Sequence, residues 1–231
     1  MKLIIVGAGG LGREVYEYAK EAFSKDQFDL CGFIDDRLDA QSTEDTRSPA
    51  LLGTIRDYEP DAQDRLIVAI GEPSTRAEIC TMLKSRGAEF ATLVHPKAHV
   101  SSSAEIGLGS IIAPFATIGA CARIGAFTHV HYYASAAHDT VIGDWVSLSP
   151  YAAANGGAHL ADGVFLGTRA TINPERQVGE ASKVTAGSVV YQDVPPYSIA
   201  HGNPAKARRQ VANHPQAADE AGVSSGRVLA K

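Results

Sequence analysis

Between Val94 and Val190 the apolar positions of the chain fall on every sixth residue without a change of phase. The series reads Val94, Val100, Ile106, Ile112, Ile118, Ile124, Val130, Ala136, Ile142, Leu148, Ala154, Leu160, Leu166, Ile172, Val178, Val184 and Val190. Only six other Val, Leu or Ile residues lie in that stretch. Four residues after each member comes a small or β-branched residue, as at Ala98, Ser110, Thr128 and Thr140; Arg176 is the clear exception. A period of six is neither helical nor the alternation of a half-buried strand. It predicts a solenoid in which each hexad supplies one short strand and one turn. Three hexads close a triangular coil of about eighteen residues, and stacked coils pair in parallel over a thin continuous core. Glycines at the second place (Gly107, Gly119, Gly125, Gly143, Gly167, Gly179) suit a tight turn, having no Cβ to clash.

Residues 1–92 carry a different pattern, that of a small α/β domain. Leu3–Val6 reads as a buried strand, Gly7–Gly12 as a turn, and Arg13 to about Phe23 as a helix with Val15, Ala19 and Phe23 on one side. Phe28–Ile34 and Leu66–Ile70 read as strands, 37–50 as a polar loop, Pro73–Arg86 as a helix, and Phe90–Leu93 as a strand feeding the repeat. Alternating strands and helices predict a parallel sheet covered on both faces. The expected organisation is a Rossmann-like domain over 1–92, the coil over 93–195, and a loop and tail over 196–231. Val194-Pro195-Pro196-Tyr197 is expected to end the regular pattern, since proline cannot donate to a ladder. The Ala-, Gly- and Ser-rich run from Asn213 is expected to be mobile.

Composition narrows the function classes. Net charge is −5 and no basic stripe stands out, which argues against nucleic acid as a partner. Lys206, Arg208 and Arg209 form a short cluster that suits a solvated edge or one anionic ligand. Cys31, Cys80 and Cys121 show no redox or metal spacing, so a reducing cytoplasm is the expected compartment. No apolar run is long enough to span a membrane.

Candidate chemistry lies in the middle coils. In His138-Asp139 a carboxylate beside an imidazole can fix its tautomer and raise its basicity. On its own such a dipeptide at a turn reads as a surface ion pair, and its position in the coil is what changes that reading. One coil further on, Asn155-Gly156-Gly157 stacks above it, and a bare Gly156 N–H facing a base suits acyl transfer: deprotonate the acceptor, stabilise the oxyanion. The alternative at Gly156-Gly157 is a wide turn that needs glycine. His129, His131 and His159 have no stacked histidine partner, since one coil after His129 is Ser147 and one coil after His131 is Ser149; no metal is expected. Near the amino terminus, Gly7-x-Gly9-x-x-Gly12 with Asp35 beyond it matches a dinucleotide fingerprint. Taken alone this suggests an NAD enzyme, but the domain is one mononucleotide half. A helix N-terminus with free N–H groups suits a diphosphate regardless.

The hexad pattern resembles the hexapeptide-repeat acyltransferases, whose coil is a left-handed parallel β-helix. The stretch His138-Asp139-Thr140-Val141-Ile142-Gly143-Asp144 resembles the active-site motif of the NeuD/PglD-type sugar acyltransferases. The resemblance implies a general base at His138, its acidic neighbour at Asp139, and at Gly156 the N–H that polarises a thioester carbonyl. It implies a nucleotide-sugar site at Gly9, Gly10, Leu11, Asp35, Asp36, Ile70 and Gly71, with His131 where an Asn is common and Leu11 where many members have His. At Ser147 many members have a histidine that contacts substrate. His201-Gly202-Asn203-Pro204-Ala205-Lys206 resembles the segment lying along acetyl-CoA in such enzymes, which adds Gly202, Asn203, Pro204 and Lys206, with Ser147, Gly167, Thr168, Ala186 and Gly187, to the coenzyme contacts. The implied activity is acetyl transfer from acetyl-CoA to the amino group of a nucleotide-linked amino sugar of bacterial surface glycans, in a homotrimer with grooves between neighbours. O-acetylation of a sugar such as a sialic acid, or non-catalytic nucleotide-sugar binding, are the alternatives.

Overall fold

The computed structural model describes residues 1–37 and 49–209. The expected mobile run from Asn213 and most of the 37–50 loop lie outside the described residues.

The amino-terminal domain runs β1 (Lys2–Val6), α1 (Gly10–Ala22), β2 (Asp29–Ile34), β3 (Leu51–Gly53), β4 (Asp64–Val68) and α2 (Pro73–Ser85). Its four strands are parallel in the order β3-β2-β1-β4. Successive strand residues point to opposite faces. Leu3 and Ile5 therefore pack with Val15 and Ala19 of α1, whereas Ile4 and Val6 pack with Cys80 and Leu83 of α2. Three local expectations are corrected. α1 begins at Gly10, so Gly10, Leu11 and Gly12 form its first turn rather than a loop. β4 ends at Val68, leaving Ile70 and Gly71 in the connection to α2. Phe90 makes a single bridge to Leu66, and Leu93–Val94 already belongs to the coil.

The coil contains seventeen two-residue strands, β5 (Leu93–Val94) to β21 (Val189–Val190). From β5 to β18 each pairs in parallel with the strand eighteen residues on, as Leu93↔Ile111 and His129↔Ser147 show. Three sheets result, one per side of a triangular prism. One face carries Ile111–Ile112, His129–Val130 and Ser147–Leu148; the next carries Thr117–Ile118, Ser135–Ala136 and Ala153–Ala154; the third carries Arg123–Ile124, Val141–Ile142 and His159–Leu160. The hexad aliphatics from Ile112 onward are buried and form one cluster with the small residues beneath them, whereas Val94 at the open end is 38% exposed. The turn lies elsewhere than expected. Positive φ recurs at the fourth place of the hexad, at Phe115, Cys121, Phe127, Tyr133, Asp139, Trp145 and Tyr151. Second-place glycines serve stacking: a Cβ on Gly119 would stand 2.6 Å from His138 N, and one on Gly167 the same distance from Ala186 N.

The prolines do not end the ladder. β22 (Ser198–Gly202) pairs with Lys183–Val184 through Ile199 and Ala200, and β23 (Ala205–Arg209) returns antiparallel to it, joined through a cis Asn203-Pro204 bond. The expected irregular segment after 195 is thus a hairpin that caps the prism.

The three corners differ. Phe127 and Trp145, stacked at 4.5 Å, form a corner against α2 and Phe90. Phe115, Tyr133 and Tyr151 stack at 5.0 and 5.1 Å along a second, with Arg169 over Tyr151. His138-Asp139 and Gly156-Gly157 make the third. The amino-terminal domain docks on the first corner and on the face holding Ile111, His129 and Ser147. The histidine corner joins the other two faces, so it is the vertex opposite the docked domain.

Candidate active site

His138 is exposed at its corner, and its Nδ1 lies 2.8 Å from Asp139 Oδ2. Asp139 reaches it because the fourth place takes the left-handed conformation, φ 59°. A carboxylate accepts only from a protonated nitrogen, so the neutral imidazole carries its proton on Nδ1 and presents Nε2 as a base. Nε2 faces the next coil: a Cβ on Gly156 would lie 2.5 Å from it. Gly157 N–H donates to the His138 carbonyl at 3.0 Å, which fixes the vertical register.

The Gly156 N–H has no partner among the described residues, and the column explains why. At the buried corner, third-place N–H groups are satisfied by the carboxylate one coil on: Ala126 donates to Asp144 and Asp144 to Asp162. The histidine column reads Ala120, His138, Gly156, Pro174, and offers Gly156 no acceptor side chain. An unpaired N–H close to an imidazole nitrogen with a free lone pair can stabilise an oxyanion while that nitrogen removes a proton.

The residues expected to hold a nucleotide-sugar gather elsewhere. β1 and β4 are adjacent, and the chain leaves them toward opposite faces of the sheet. The crevice beyond their carboxyl ends is a topological switch point, where ligands of open α/β sheets bind. Gly9, Gly10 and Leu11 border it after β1, and Ile70 and Gly71 after β4. Neither helix has a side-chain cap at its start. A Cβ on Gly71 would sit 3.9 Å from Leu11, and one on Gly10 would meet nothing within 4 Å. Leu11 also lines a small cavity with Tyr18, His129 and His131. Burial, reinforced by the Arg76 charge, pushes His131 down to about 4, and fully buried His129 is held neutral in the same way.

Two of the expected contacts have other partners. Asp35 is buried; its Oδ2 accepts from Ala8 N–H at 2.7 Å and its Oδ1 from Arg37 N–H at 2.8 Å. Burial alone would raise its pKa, but these N–H groups and the Arg37 guanidinium outweigh it, and the carboxyl is held below its ordinary value. Asp35 thus clamps the glycine loop, while exposed Asp36 pairs with Arg56. Ser147, expected at the coenzyme, is buried under the docked domain, where its hydroxyl donates to Gly71 O at 2.9 Å and accepts from Arg76. It lies on the face that the amino-terminal domain covers.

The remaining coenzyme candidates divide between corners. Gly156 stands at the histidine corner. Thr168, Ala186 and Gly187 are exposed on the aromatic corner above Tyr151; the hairpin that carries Gly202, Asn203, Pro204 and Lys206 is tied to the same corner by Gly202 N–H, which donates to Ser188 Oγ at 3.0 Å. Gly167 is packed against Ala186. A coenzyme running up a single corner of one chain would not touch all of them.

Arg76 was absent from the sequence-based candidates. Its place in the stripe Pro73, Arg76, Cys80, Leu83, the buried residues of α2, is the signal that marks it.

The family model of the PglD N-terminal domain matches residues 2–83. The acetyltransferase domain of PglB from Neisseria gonorrhoeae in complex with acetyl coenzyme A superposes with TM-score 0.79 at 30% identity, over 90% of this chain and 98% of that one. PerB from Caulobacter crescentus, in complex with CoA and GDP-perosamine, superposes with TM-score 0.78 at 26% identity, over 90% and 97% of the two chains. The UDP-N-acetylbacillosamine N-acetyltransferase of Bacillus subtilis is 35% identical over 111 residues, 47% of this chain. The match spans 49% of that protein's length, and curated relatives from Staphylococcus aureus align over 25% of theirs. Sequence repeat, fold and a superposition over 90% of the chain agree: this chain belongs to the PglD-type family of sugar acetyltransferases.

Proposed function

We propose that the protein transfers an acetyl group from acetyl-CoA to the amino group of a nucleotide-linked amino sugar. The observation that carries the reading is the place of His138 Nε2, which fills the space where a Gly156 side chain would stand, with its Nδ1 held by Asp139. His138 Nε2 takes the proton that the amine loses as its nitrogen bonds to the thioester carbon. The Gly156 N–H donates to the carbonyl oxygen as negative charge develops there. The carbon–sulfur bond then breaks, and His138 returns its proton to the departing thiolate. The switch-point crevice, with Gly9, Gly10, Leu11, Asp36, Ile70 and Gly71, holds the nucleotide diphosphate, and His131 faces the sugar.

The crevice and His138 stand on opposite sides of one prism, so a nucleotide-sugar in the crevice meets the base of a second copy. A homotrimer by closed symmetry, about 73 kDa from a 24.3 kDa chain, brings one copy's histidine corner to its neighbour's aromatic corner and crevice. The same groove gathers Gly156 from one copy with Thr168, Ala186, Gly187 and Gly202 from the next. Among the described residues no helix is long and apolar enough to cross a membrane. The cytoplasm supplies acetyl-CoA and nucleotide-sugars, and surface-glycan assembly is the use that fits the product.

The test is thiol release from acetyl-CoA with UDP-, GDP- and dTDP-linked amino sugars, beside the matching hydroxy sugars. His138→Ala should lower turnover by roughly 10²–10⁴-fold. Wild-type turnover in that variant would remove His138 from the mechanism, and acetylation of the hydroxy sugars alone would replace N- by O-transfer.

A further inference from the structure

Arg76 is the largest fully buried side chain of the described residues, and no carboxylate among them forms an ion pair with it. Nearby Glu72 turns outward to Lys183 at 3.0 Å. Burial lowers the guanidinium to about 10, so it is charged at neutral pH. A buried cation is costly unless its donors are satisfied. Here they are met almost wholly by neutral main-chain oxygens, in two sets. Nη1 donates to Ile70 O at 2.7 Å and Gly71 O at 3.2 Å, in the connection after β4. Nε and Nη2 donate to Phe127 O, Trp145 O and Val146 O, at 2.8, 2.6 and 3.0 Å, on two successive coils.

We propose that Arg76 is a positioning residue for the nucleotide-sugar: it turns the peptide planes of the β4–α2 connection so that their N–H groups face the switch-point crevice, and ties that crevice to the coil. The reason is the geometry of the trans peptide. C=O and N–H project from opposite edges of one rigid plane. With the carbonyls of Ile70 and Gly71 drawn to Arg76, the N–H groups of Gly71 and Glu72 point the other way. Neither has a partner among the described residues. Gly71 stands opposite Leu11 across the crevice. Ser147 supplies a second hydrogen bond to the Gly71 carbonyl at 2.9 Å, so the connection is pinned from both the helix and the coil. The pinned N–H groups complement those of the uncapped α1 start, and together they suit a diphosphate.

The inference rests on the proposed nucleotide-sugar reading, and the experiment separates the two. Binding of UDP, GDP and dTDP to the full chain is followed by calorimetry, and acetyl transfer by thiol release, for wild type, Arg76→Met, Arg76→Lys and Ser147→Ala. The single tryptophan, Trp145, lies at the joint, and its emission reports whether the domains remain docked. The expected result for Arg76→Met is a rise of about tenfold or more in Kd and in acceptor KM, with acetyl-CoA KM unchanged within about twofold. Arg76→Lys should recover part of the loss. Ser147→Ala should give a smaller rise of the same kind. If Arg76→Met does not fold, Arg76→Lys and Ser147→Ala decide the matter by the same ratio of KM values. Wild-type acceptor KM in folded Arg76 variants, or equal loss toward both substrates, overturns the positioning role. Failure of wild type to bind any of the three nucleotides overturns the underlying reading instead.

Discussion

The imidazole of His138 occupies the space that a side chain at Gly156 would need. A methyl there would lie 2.5 Å from Nε2 and 2.6 Å from Cε1, closer than real Cβ contacts allow. The neighbour that must yield is an exposed ring free to swing outward. Gly156→Ala should therefore leave the melting temperature within about 2 °C of wild type while lowering turnover by roughly 10²-fold, through a displaced base and an obstructed N–H. A variant that melts normally and turns over normally would break the link between Gly156 and chemistry.

Asp139 acts through the ring it orients. Asp139→Asn should cost less turnover than His138→Ala, since the amide can still accept from Nδ1–H, and steady-state rates of the two variants on one substrate make the comparison. The order reverses if Asp139 carries the proton itself.

Asp35 and Asp36, adjacent in sequence, should separate by measurement. Asp35→Ala leaves the Ala8 N–H without its acceptor and should destabilise the protein by roughly 1–3 kcal/mol in urea melts. Asp36→Ala loses only an exposed pair with Arg56, worth about 0–1 kcal/mol, and should show itself as a raised acceptor KM. Because the Asp35 pKa is lowered on folding, its stabilising effect is present above the ordinary carboxylate range and is lost as pH falls through the lowered value.

The neutral histidines under the docked domain predict an acid-sensitive joint. The unfolded chain protonates His131 near pH 6.5, whereas the folded chain does so only near about 4. Between those values the unfolded state binds more protons, so stability falls as pH drops through the window. His131→Asn should flatten that fall by about 3 °C or more in melts taken between pH 7 and 4.5. An unchanged slope would mean that His131 titrates at its ordinary value.

Division of the site between copies has a sharp test. His138→Ala and Gly10→Val should each be inactive alone, the latter because a side chain at Gly10 intrudes at the open crevice. Co-assembled at equal ratio, they should recover about a quarter of wild-type activity, since base and crevice are then drawn independently from two chains. No recovery in mixed trimers would place both groups in one chain.

The coil was legible because a thin prism has no alternative interior: each hexad must send its aliphatic inward, so Ile112 through Val190 announce themselves. The second-place glycines were read as turns although the left-handed residue is the fourth. Aromatic side chains at Phe127, Tyr133 and Trp145 occupy that conformation, which propensity alone does not suggest. His138 and Gly156 followed from counting eighteen. The side of the prism on which the amino-terminal domain sits did not, because docking is decided by Arg76 and by the Phe90, Phe127 and Trp145 rings, which are far apart in sequence. The burial of Ser147 was illegible for the same reason: its column was known and its cover was not.

The vertical register His138–Gly156 has a consequence for chain length. Inserting or deleting eighteen residues above Pro174 changes the height of the prism and leaves every column on its own edge. A change of six preserves the hydrophobic period, yet carries all later columns one edge around. Ala186, Gly187 and the closing hairpin would then stand over the wrong groove, out of line with Thr168 below them. The repeat tolerates steps of six as architecture, but only whole turns keep the two ends of the molecule in phase for chemistry.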